Sequence, residues 1–174
     1  MKKIDHLKML SAMLAATMMF GVCSCSKKPE SKGVVKADAY GHGDEKIVRC
    51  LASKCGIKFF AVSNLDEAIA VRGFAPEAEI LILGYTPPEY ANEISMYNIV
   101  QGVVSTEYAE ALVKNTMLPI RCHVKIDTGM GRIGYIPDDE SIDEICRIAQ
   151  LPNIEIDGIF THFACADVKD KTSM

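Results

Sequence analysis

The sequence lacks three features: a basic stripe, closely spaced cysteines in its main part, and an apolar run long enough to cross a bilayer. Its 19 lysines and arginines are dispersed and the net charge is only −4, which argues against a nucleic-acid-binding protein. The chain has seven cysteines. The five other than Cys23 and Cys25 lack the spacing of a zinc site or a CxxC redox pair, so most of them are expected to be buried thiols. No metal site is predicted, and a small molecule is the expected partner.

Two parts of different character make up the 174 residues. Over the whole chain, 49% of the residues are hydrophobic and 24% are charged, which is the balance of a protein that buries a core. Residues 1–32 depart from this balance and are predicted to be a leader followed by a polar tether. Residues 33–174 are predicted to form one folded domain.

The leader has the organisation of an export signal. Residues 1–8 carry three lysines, and residues 9–22 form a largely apolar run that is shorter than the roughly 20 residues a helix needs to cross a bilayer. Residues 22–25 resemble a bacterial lipobox, which predicts lipidation of Cys25; a cleaved signal peptide and an ordinary core helix are the alternatives. An exported protein would be periplasmic or membrane-anchored, with membrane contact only through the leader, whereas a chain without a working leader would be cytoplasmic.

Beyond the leader, short β-branched runs alternate with amphipathic stretches, and each pair takes about 20 residues, which is typical of repeated βα units. The pattern therefore predicts an α/β fold with a parallel sheet. The predicted strands are residues 33–37, 58–62, 79–83, 99–104, 119–127 and 154–161. The predicted helices are residues 44–54, 65–72, 89–96, 106–114 and 140–149.

Local signals mark several helix ends. Asn64, with Glu67 three residues later, resembles a capping box at the start of a helix. Gly56 and Gly73 each follow an apolar-periodic stretch, at places where a helix end often requires a left-handed residue. We expect a helix to begin after Asn64 and helices to end at the two glycines.

The fifth predicted strand distinguishes a barrel from an open sheet. Ile120, Cys122, Val124 and Ile126 share one face, while residues 121, 123, 125 and 127 on the other face are all polar. Both faces of an open sheet covered by helices should be apolar, whereas a barrel strand directs polar groups toward an interior site. Because six strands are visible, the prediction is a partial (β/α)₈ TIM-type barrel with six of its eight strands.

Lys36 follows directly from a predicted strand and precedes a glycine-rich polar turn. Barrels and open α/β proteins place their reactive groups at the carboxyl ends of strands. A lysine amine in that position can form a Schiff base when desolvation lowers its pKa. A solvated lysine at the end of a strand is the alternative interpretation.

Three stretches carry a resemblance to a known family. Residues 34–43 (VVKADAYGHG) closely resemble the cofactor-lysine signature of the alanine racemases, which are pyridoxal-phosphate-dependent enzymes of fold type III. Residues 125–134 (KIDTGMGRIG) and 161–167 (THFACAD) resemble two further segments of the family, in the same order. The resemblance runs from about residue 34 to the end and implies that residues 33–174 are the family's N-terminal barrel domain, incomplete at both ends.

The resemblance implies a role for each matching residue. Lys36 would bind pyridoxal 5′-phosphate covalently and act as one of two proton-transfer bases. Tyr40 would help to bind the cofactor phosphate, and Arg132 would contact the phenolic oxygen of the cofactor and the substrate carboxylate, a task suited to a guanidinium group. Lys125 would be carbamylated, which removes its repulsion with Arg132. His162 would join a polar network beneath the cofactor ring, with a hydrogen-bonded core histidine as the alternative.

The family assignment also implies parts that this chain does not supply. Racemisation needs a second base on the opposite face of the α-carbon, which in the family is a tyrosine from the C-terminal domain of the partner subunit of a homodimer. We therefore expect this chain to be inactive alone, as a fragment of an isomerase that provides D-alanine for peptidoglycan. No catalytic role is assigned to His42 or His123.

Three alternatives remain open at this stage. The complete protein is also compatible with a broad-specificity periplasmic amino-acid racemase, although the presence of Lys125 favours alanine. A non-catalytic exported lipoprotein with a partial barrel is the alternative from a different functional class. A single-domain barrel that binds pyridoxal phosphate without racemising is less favoured, because such proteins lack the segment at residues 127–132.

Overall fold

The computed structural model describes residues 32–164. The predictions of an export signal and of lipidation at Cys25 concern residues outside this range. The same holds for residues 165–167 of the third family stretch. Within residues 32–164, no helix combines the length and the apolar character needed to span a membrane.

Within residues 32–164, six strands and five helices alternate, together with one short left-handed segment described below. The strands are β1 (Lys32–Val34), β2 (Phe59–Val62), β3 (Glu79–Ile82), β4 (Val100–Val103), β5 (Ile120–Ile126) and β6 (Ile154–Thr161). The helices are α1 (Asp44–Cys55), α2 (Leu65–Phe74), α3 (Ala91–Met96), α4 (Thr106–Lys114) and α5 (Asp139–Ile148), and a 3₁₀ turn, Pro88–Tyr90, precedes α3.

The strands form one parallel sheet in the order β1-β2-β3-β4-β5-β6. Every strand therefore pairs with the next one along the chain, and the order never reverses. A doubly wound sheet reverses its strand order at a switch point, whereas a barrel adds strands in one direction. The topology confirms the predicted α/β fold and the partial (β/α)₈ barrel.

The two faces of the sheet carry separate apolar clusters. The outer cluster packs the strands against the helices and includes Phe60, Ile80, Cys122 and Val124, all fully buried. The inner cluster is smaller and is built on Leu81, Val100 and Phe160. The predicted alternation of β5 is confirmed, because its apolar side chains all belong to the outer cluster.

The inner face of β5 carries three basic side chains at three levels of the barrel. Arg121, near the amino end, pairs with Glu79 of β3 at 2.9 Å and with Asp157 of β6 at 2.6 Å. His123 is buried in the middle, and Lys125 is buried near the carboxyl end. Arg121 thus links three strands at the amino end of β5, while Lys125 lies near the carboxyl end of the same strand.

Some predicted element ends need correction. The first strand ends at Val34 rather than at residue 37, because the backbone turns left-handed immediately after Lys36. Gly56 is left-handed as expected, with φ = 67°, and ends α1. Gly73 does not end α2, which continues to Phe74 and is capped by Ala75, a residue that is not left-handed, with φ = −137°. The cysteine prediction is wrong for Cys50 and Cys55, which lie exposed on α1, and right for Cys122.

The predicted capping box is half formed. The Asn64 side chain accepts a hydrogen bond from the Glu67 N–H at 3.0 Å, which caps α2 as expected. The Glu67 carboxylate does not return to the Asn64 N–H. It accepts instead from the N–H groups of Ser63 and of Ala37, 30 residues away.

Gly158 provides the space that His123 needs in the barrel interior. The pairing of β5 with β6 shifts by one residue between Cys122 and His123, so that His123 faces Gly158. A Cβ atom on Gly158 would lie 2.9 Å from the imidazole of His123. The imidazole is confined on its other side by Phe59, at 6.2 Å between ring centroids. The glycine is therefore required by packing and not by backbone conformation.

Gly158→Ala should destabilise the protein, because the added methyl group overlaps a buried ring. We expect the free energy of unfolding to fall by about 1–3 kcal/mol, measured by urea denaturation. Gly73→Ala is the matched control, since nothing lies within 4 Å of a Cβ atom there and the residue is helical. It should leave stability unchanged or raise it by up to about 1 kcal/mol. Equal effects of both substitutions would contradict this account of the His123 contact.

Candidate functional site

A cavity of about 470 Å³ lies at the carboxyl ends of the strands. Its polar lining brings together all five of the site residues predicted from the sequence: Lys36, Tyr40, Lys125, Arg132 and His162. The remaining wall is largely apolar and consists of Val34, Leu83, Gly84, Ile133, Phe160, Thr161 and Phe163. Parallel strands present their carboxyl ends on one side of the sheet, which is why residues so distant in sequence share one cavity.

The segment that carries Lys36 turns in the left-handed sense. Four consecutive residues, 37–40, have φ between 51° and 58°, within the helical segment Lys36–Gly41. Left-handed helical backbone costs an L-residue roughly 1–2 kcal/mol, so four in a row require compensation from their surroundings. We call residues 37–40 the left-handed turn. It places Lys36 and Tyr40 on the same cavity, with the lysine Nζ 5.8 Å from the tyrosine ring centroid.

Asp38 ties the left-handed turn to the residues that follow it. Its side-chain oxygen Oδ1 accepts the N–H of Asp44, the first residue of α1, at 2.8 Å. Its backbone carbonyl accepts the N–H of Gly43 at 3.1 Å. Asp38, Gly41 and Gly43 are the residues from which an unusual turn could have been predicted, since aspartate and glycine tolerate left-handed backbone best.

Lys125 is buried beside a second cation. Only 4% of its surface is exposed, and its Nζ lies 5.9 Å from the ring centroid of Phe160. Burial lowers the pKa of the Lys125 amine, and the nearby positive charge of Arg132 lowers it further, while Asp127 acts in the opposite direction. A larger share of the Lys125 amine is therefore neutral than in a solvated lysine.

Asp127 organises the loop that presents Arg132. Its Oδ1 accepts the N–H groups of Gly129 and Gly131, each at 3.0 Å, and its Oδ2 accepts the N–H of Arg132 at 2.8 Å. These backbone hydrogen bonds, led by that of Gly131, hold the pKa of Asp127 below its ordinary value. Sequence reasoning assigned no role to Asp127, although its place at the start of a glycine-rich stretch is typical of a carboxylate that folds a loop around itself.

Gly134 closes the same loop against β5. The N–H of Tyr135 donates to the Lys125 carbonyl at 2.9 Å, and the N–H of Asp127 donates to the Tyr135 carbonyl at 2.8 Å. With φ = 125°, Gly134 has a backbone conformation that favours glycine, and a Cβ atom there would lie 2.8 Å from the Lys125 carbonyl oxygen. The loop thus leaves β5 at its carboxyl end and returns to it at Tyr135. Arg132, which lines the cavity, lies within this loop.

His162 lies at the cavity and not in the core. It follows the last residue of β6, and its side chain is exposed. The pKa of His162 is lowered, first by partial burial and then by the charges of Arg132, Lys125 and Lys36. A neutral imidazole can both donate and accept a hydrogen bond, which suits a polar network. His123, in contrast, is buried in the barrel interior, and burial lowers its pKa to about 4.

The charge and shape of the cavity fit a flat ring with anionic substituents. Lys36, Lys125 and Arg132 supply positive charge, and none of the described residues that line the cavity is acidic. Apolar side chains such as Leu83 and Phe160 provide surfaces for a ring. The cavity is therefore suited to pyridoxal phosphate, which combines an aromatic ring, a phosphate and an aldehyde that a lysine amine attacks.

Asp127→Asn should loosen the Arg132 loop, because an amide has one acceptor oxygen where the carboxylate has two. We expect the Arg132 N–H to exchange with solvent about tenfold faster in NMR measurements, while exposed Asp143→Asn leaves that exchange unchanged. Because the folded pKa of Asp127 is lowered, the protection should persist as pH falls to its ordinary pKa of 3.8 and be lost only through the lower folded value. Unchanged exchange in Asp127→Asn would show that the carboxylate does not hold the loop.

Comparison with known proteins shows which family this chain resembles. The family model described as "Alanine racemase, N-terminal domain" matches residues 23–174. The chain is 43% identical to alanine racemase 1 of Clostridium acetobutylicum over 150 residues, which are 84% of the chain and 39% of the relative. It is 47% identical to the alanine racemase of Clostridium tetani over 150 residues, again 84% of the chain and 38% of the relative.

Solved structures agree with the sequence relatives. The alanine racemase of Clostridium difficile superimposes with a TM-score of 0.76 at 37% identity, covering 84% of this chain and 40% of that one. A histidine racemase from Leuconostoc mesenteroides superimposes with a TM-score of 0.75 at 27% identity, covering 83% and 40%. The chain spans about two fifths of the length of the curated alanine racemases it matches. On these matches, the chain belongs to the alanine racemase family and carries its N-terminal domain.

Proposed function

We propose that this chain contributes the lysine-bearing half of a pyridoxal-phosphate-dependent site that interconverts L-alanine and D-alanine. The observation that carries the proposal is the convergence of Lys36, Lys125 and Arg132 on one cavity at the carboxyl ends of the strands. The complete site would include a second base from a partner subunit in a homodimer. The D-alanine that it produces would be used to build peptidoglycan.

Each polar residue of the cavity has a task in this proposal. Lys36 would hold the cofactor covalently, and Tyr40 would bind its phosphate through the phenolic hydroxyl. Arg132 would bind the phenolic oxygen of the cofactor and the carboxylate of the amino acid, and His162 would hydrogen-bond within the network beneath the ring. When bound, pyridoxal phosphate supplies an electron sink that stabilises negative charge at the α-carbon of the substrate.

The proton transfer falls to Lys36. Its Nζ would take a proton from the α-carbon on one face, or deliver one there in the reverse direction. Arg132 would fix the orientation of the α-carbon through a charge-assisted hydrogen bond to the carboxylate. Val34, Leu83 and Phe160 line the cavity with apolar surface that limits access of water to the reacting atoms.

Alanine is the favoured substrate, because the relatives that are 43% and 47% identical are both named alanine racemases. A broader specificity is the second candidate. An amino-acid racemase of Enterococcus faecalis is 40% identical over 148 residues, and the histidine racemase noted above has a similar fold.

The proposal also includes export of the protein, a signal or lipoprotein function of residues 1–32, and a domain boundary at residue 33.

Lys36→Ala should abolish covalent binding of pyridoxal phosphate, because it removes the amine at the cavity. The chain is incubated with the cofactor and reduced with borohydride, and the labelled peptide is identified by mass spectrometry. We expect the label on Lys36 in the wild-type chain and no change with Lys46→Ala, an exposed lysine on α1. In the complete enzyme, Lys36→Ala should lower kcat by about 10³-fold or more. Labelling that persists in Lys36→Ala would contradict the assignment.

We further propose that Lys125 is carbamylated. The neutral Nζ would attack the carbon of CO₂, and the nitrogen would release a proton to solvent, which converts a buried cation into an anion. The lowered pKa of the amine favours this reaction, since only the neutral form has a free electron pair. A carbamate beside Arg132 would replace repulsion between two cations with an ion pair that orients the guanidinium group.

Carbon-13-labelled bicarbonate should give a carbamate carbonyl signal in the NMR spectrum of the chain at about pH 8. Lys125→Arg should remove the signal, because a guanidinium group does not react, and Lys58→Arg, at an exposed position, should keep it. Because the pKa of Lys125 is lowered, its amine stays neutral to a lower pH than that of a solvated lysine. The signal should disappear as acid protonates the amine, and a signal that survives Lys125→Arg would show that another lysine reacts.

A further inference from the structure

Glu67 joins two neighbouring strand ends through a single carboxylate. Its Oε1 accepts the N–H of Ala37 at 2.9 Å, and its Oε2 accepts the N–H of Ser63 at 2.8 Å. Ala37 directly follows Lys36 and begins the left-handed turn, while Ser63 directly follows β2. The two bonds therefore connect the Lys36 segment to the next strand of the barrel.

The backbone of Glu67 is itself held in place. It belongs to the first turn of α2, where its own N–H donates to the Asn64 side chain at 3.0 Å. An ionised carboxylate has two acceptor oxygens, and here each oxygen takes a different backbone donor. Glutamine has one acceptor oxygen and an NH₂ group, so it can satisfy at most one of these two donors without repulsion.

The hydrogen bond to Ala37 lies where the left-handed turn begins. Residues 37–40 are left-handed, a conformation that persists only when neighbouring groups impose it. Asp38, the second residue of this turn, ties the turn to the first residue of α1, as described above. Glu67 secures its near end, immediately after the residue whose amine must reach the cavity.

The bond to Ser63 reaches a second part of the cavity wall. The Ser63 carbonyl oxygen packs so closely on Gly84 that a Cβ atom there would overlap it. Gly84 lines the cavity together with Lys36. A shift of the Ser63 peptide would therefore move the backbone of Gly84, so the Glu67 carboxylate constrains two portions of the same wall.

We propose that Glu67 is a positioning residue for the racemase site: its carboxylate clamps the left-handed turn and thereby sets the direction of the Lys36 side chain. The catalytic consequence rests on the proposed function of Lys36. The clamp itself does not, because it consists of hydrogen bonds within the chain.

The clamp is tested on the full chain without cofactor, by residue-resolved amide hydrogen exchange in NMR. Glu67→Gln should accelerate exchange at Ala37 and Ser63 by about tenfold or more, with little change at Val48 in the core of α1. Asp66→Asn is the matched control, since it removes the same charge from the same first turn of α2. Equal exchange in the two variants, or an equal acceleration at Val48, would overturn the clamp.

The positioning role is tested by the rate at which pyridoxal phosphate is trapped on Lys36 by borohydride. We expect Glu67→Gln to slow the trapping about tenfold while Asp66→Asn keeps the wild-type rate. In the complete enzyme, Glu67→Gln should lower kcat with a smaller change in KM. Faster exchange at Ala37 with wild-type trapping would refute the positioning role. A wild-type chain that is never labelled on Lys36 would refute the proposed function instead, and the exchange measurement would still decide on the clamp.

Discussion

The parallel pairing of the strands is the constraint on which the site depends. Each strand starts at one end of the sheet and finishes at the other, so the residues that follow β1, β3 and β6 meet the carboxyl end of β5 in one cavity. The outer face of the sheet is occupied by the apolar core, which leaves polar side chains of β5 only the inner face. Lys125 is therefore both a strand residue with a fixed direction and a buried cation whose pKa the fold lowers.

Carboxylates that do not line the cavity hold the backbone of the segments that line it. Asp127 folds its loop by accepting three backbone N–H groups, while Glu67 accepts the first N–H of the left-handed turn and Asp38, within the turn, accepts the first N–H of α1. The cations of the site thus lie on segments whose backbone is organised by nearby anions. This division explains how the cavity can be positive while the chain as a whole carries a net charge of −4.

Sequence reasoning succeeded where one element determines its own structure. The bounds of β6 and α4 were predicted without error, and the alternation on β5 gave both the barrel and the inward direction of Lys125. It failed where the local structure involves a residue that is distant in the sequence. The first N–H of the left-handed turn donates to a carboxylate 30 residues away, and Glu67 was assigned only to a local cap because one of its two donors, Ala37, is not a sequence neighbour. Gly73 continues α2 because glycine permits a left-handed end without requiring one.

The charge of the cavity also links its protonation to what it binds. Beyond the effect of burial, the charges of Arg132, Lys125 and Lys36 lower the pKa of His162, and the charge of Arg132 lowers the pKa of Lys125. The arrangement therefore disfavours its own positive charge. An anion in the cavity would reverse both effects, because it stabilises the protonated forms. By linkage, the groups whose pKa it raises bind it more tightly when protonated. A site built from mutually repelling cations is therefore predisposed to bind a phosphate or a carboxylate, and carbamylation of Lys125 would relieve the part of that repulsion that Arg132 causes.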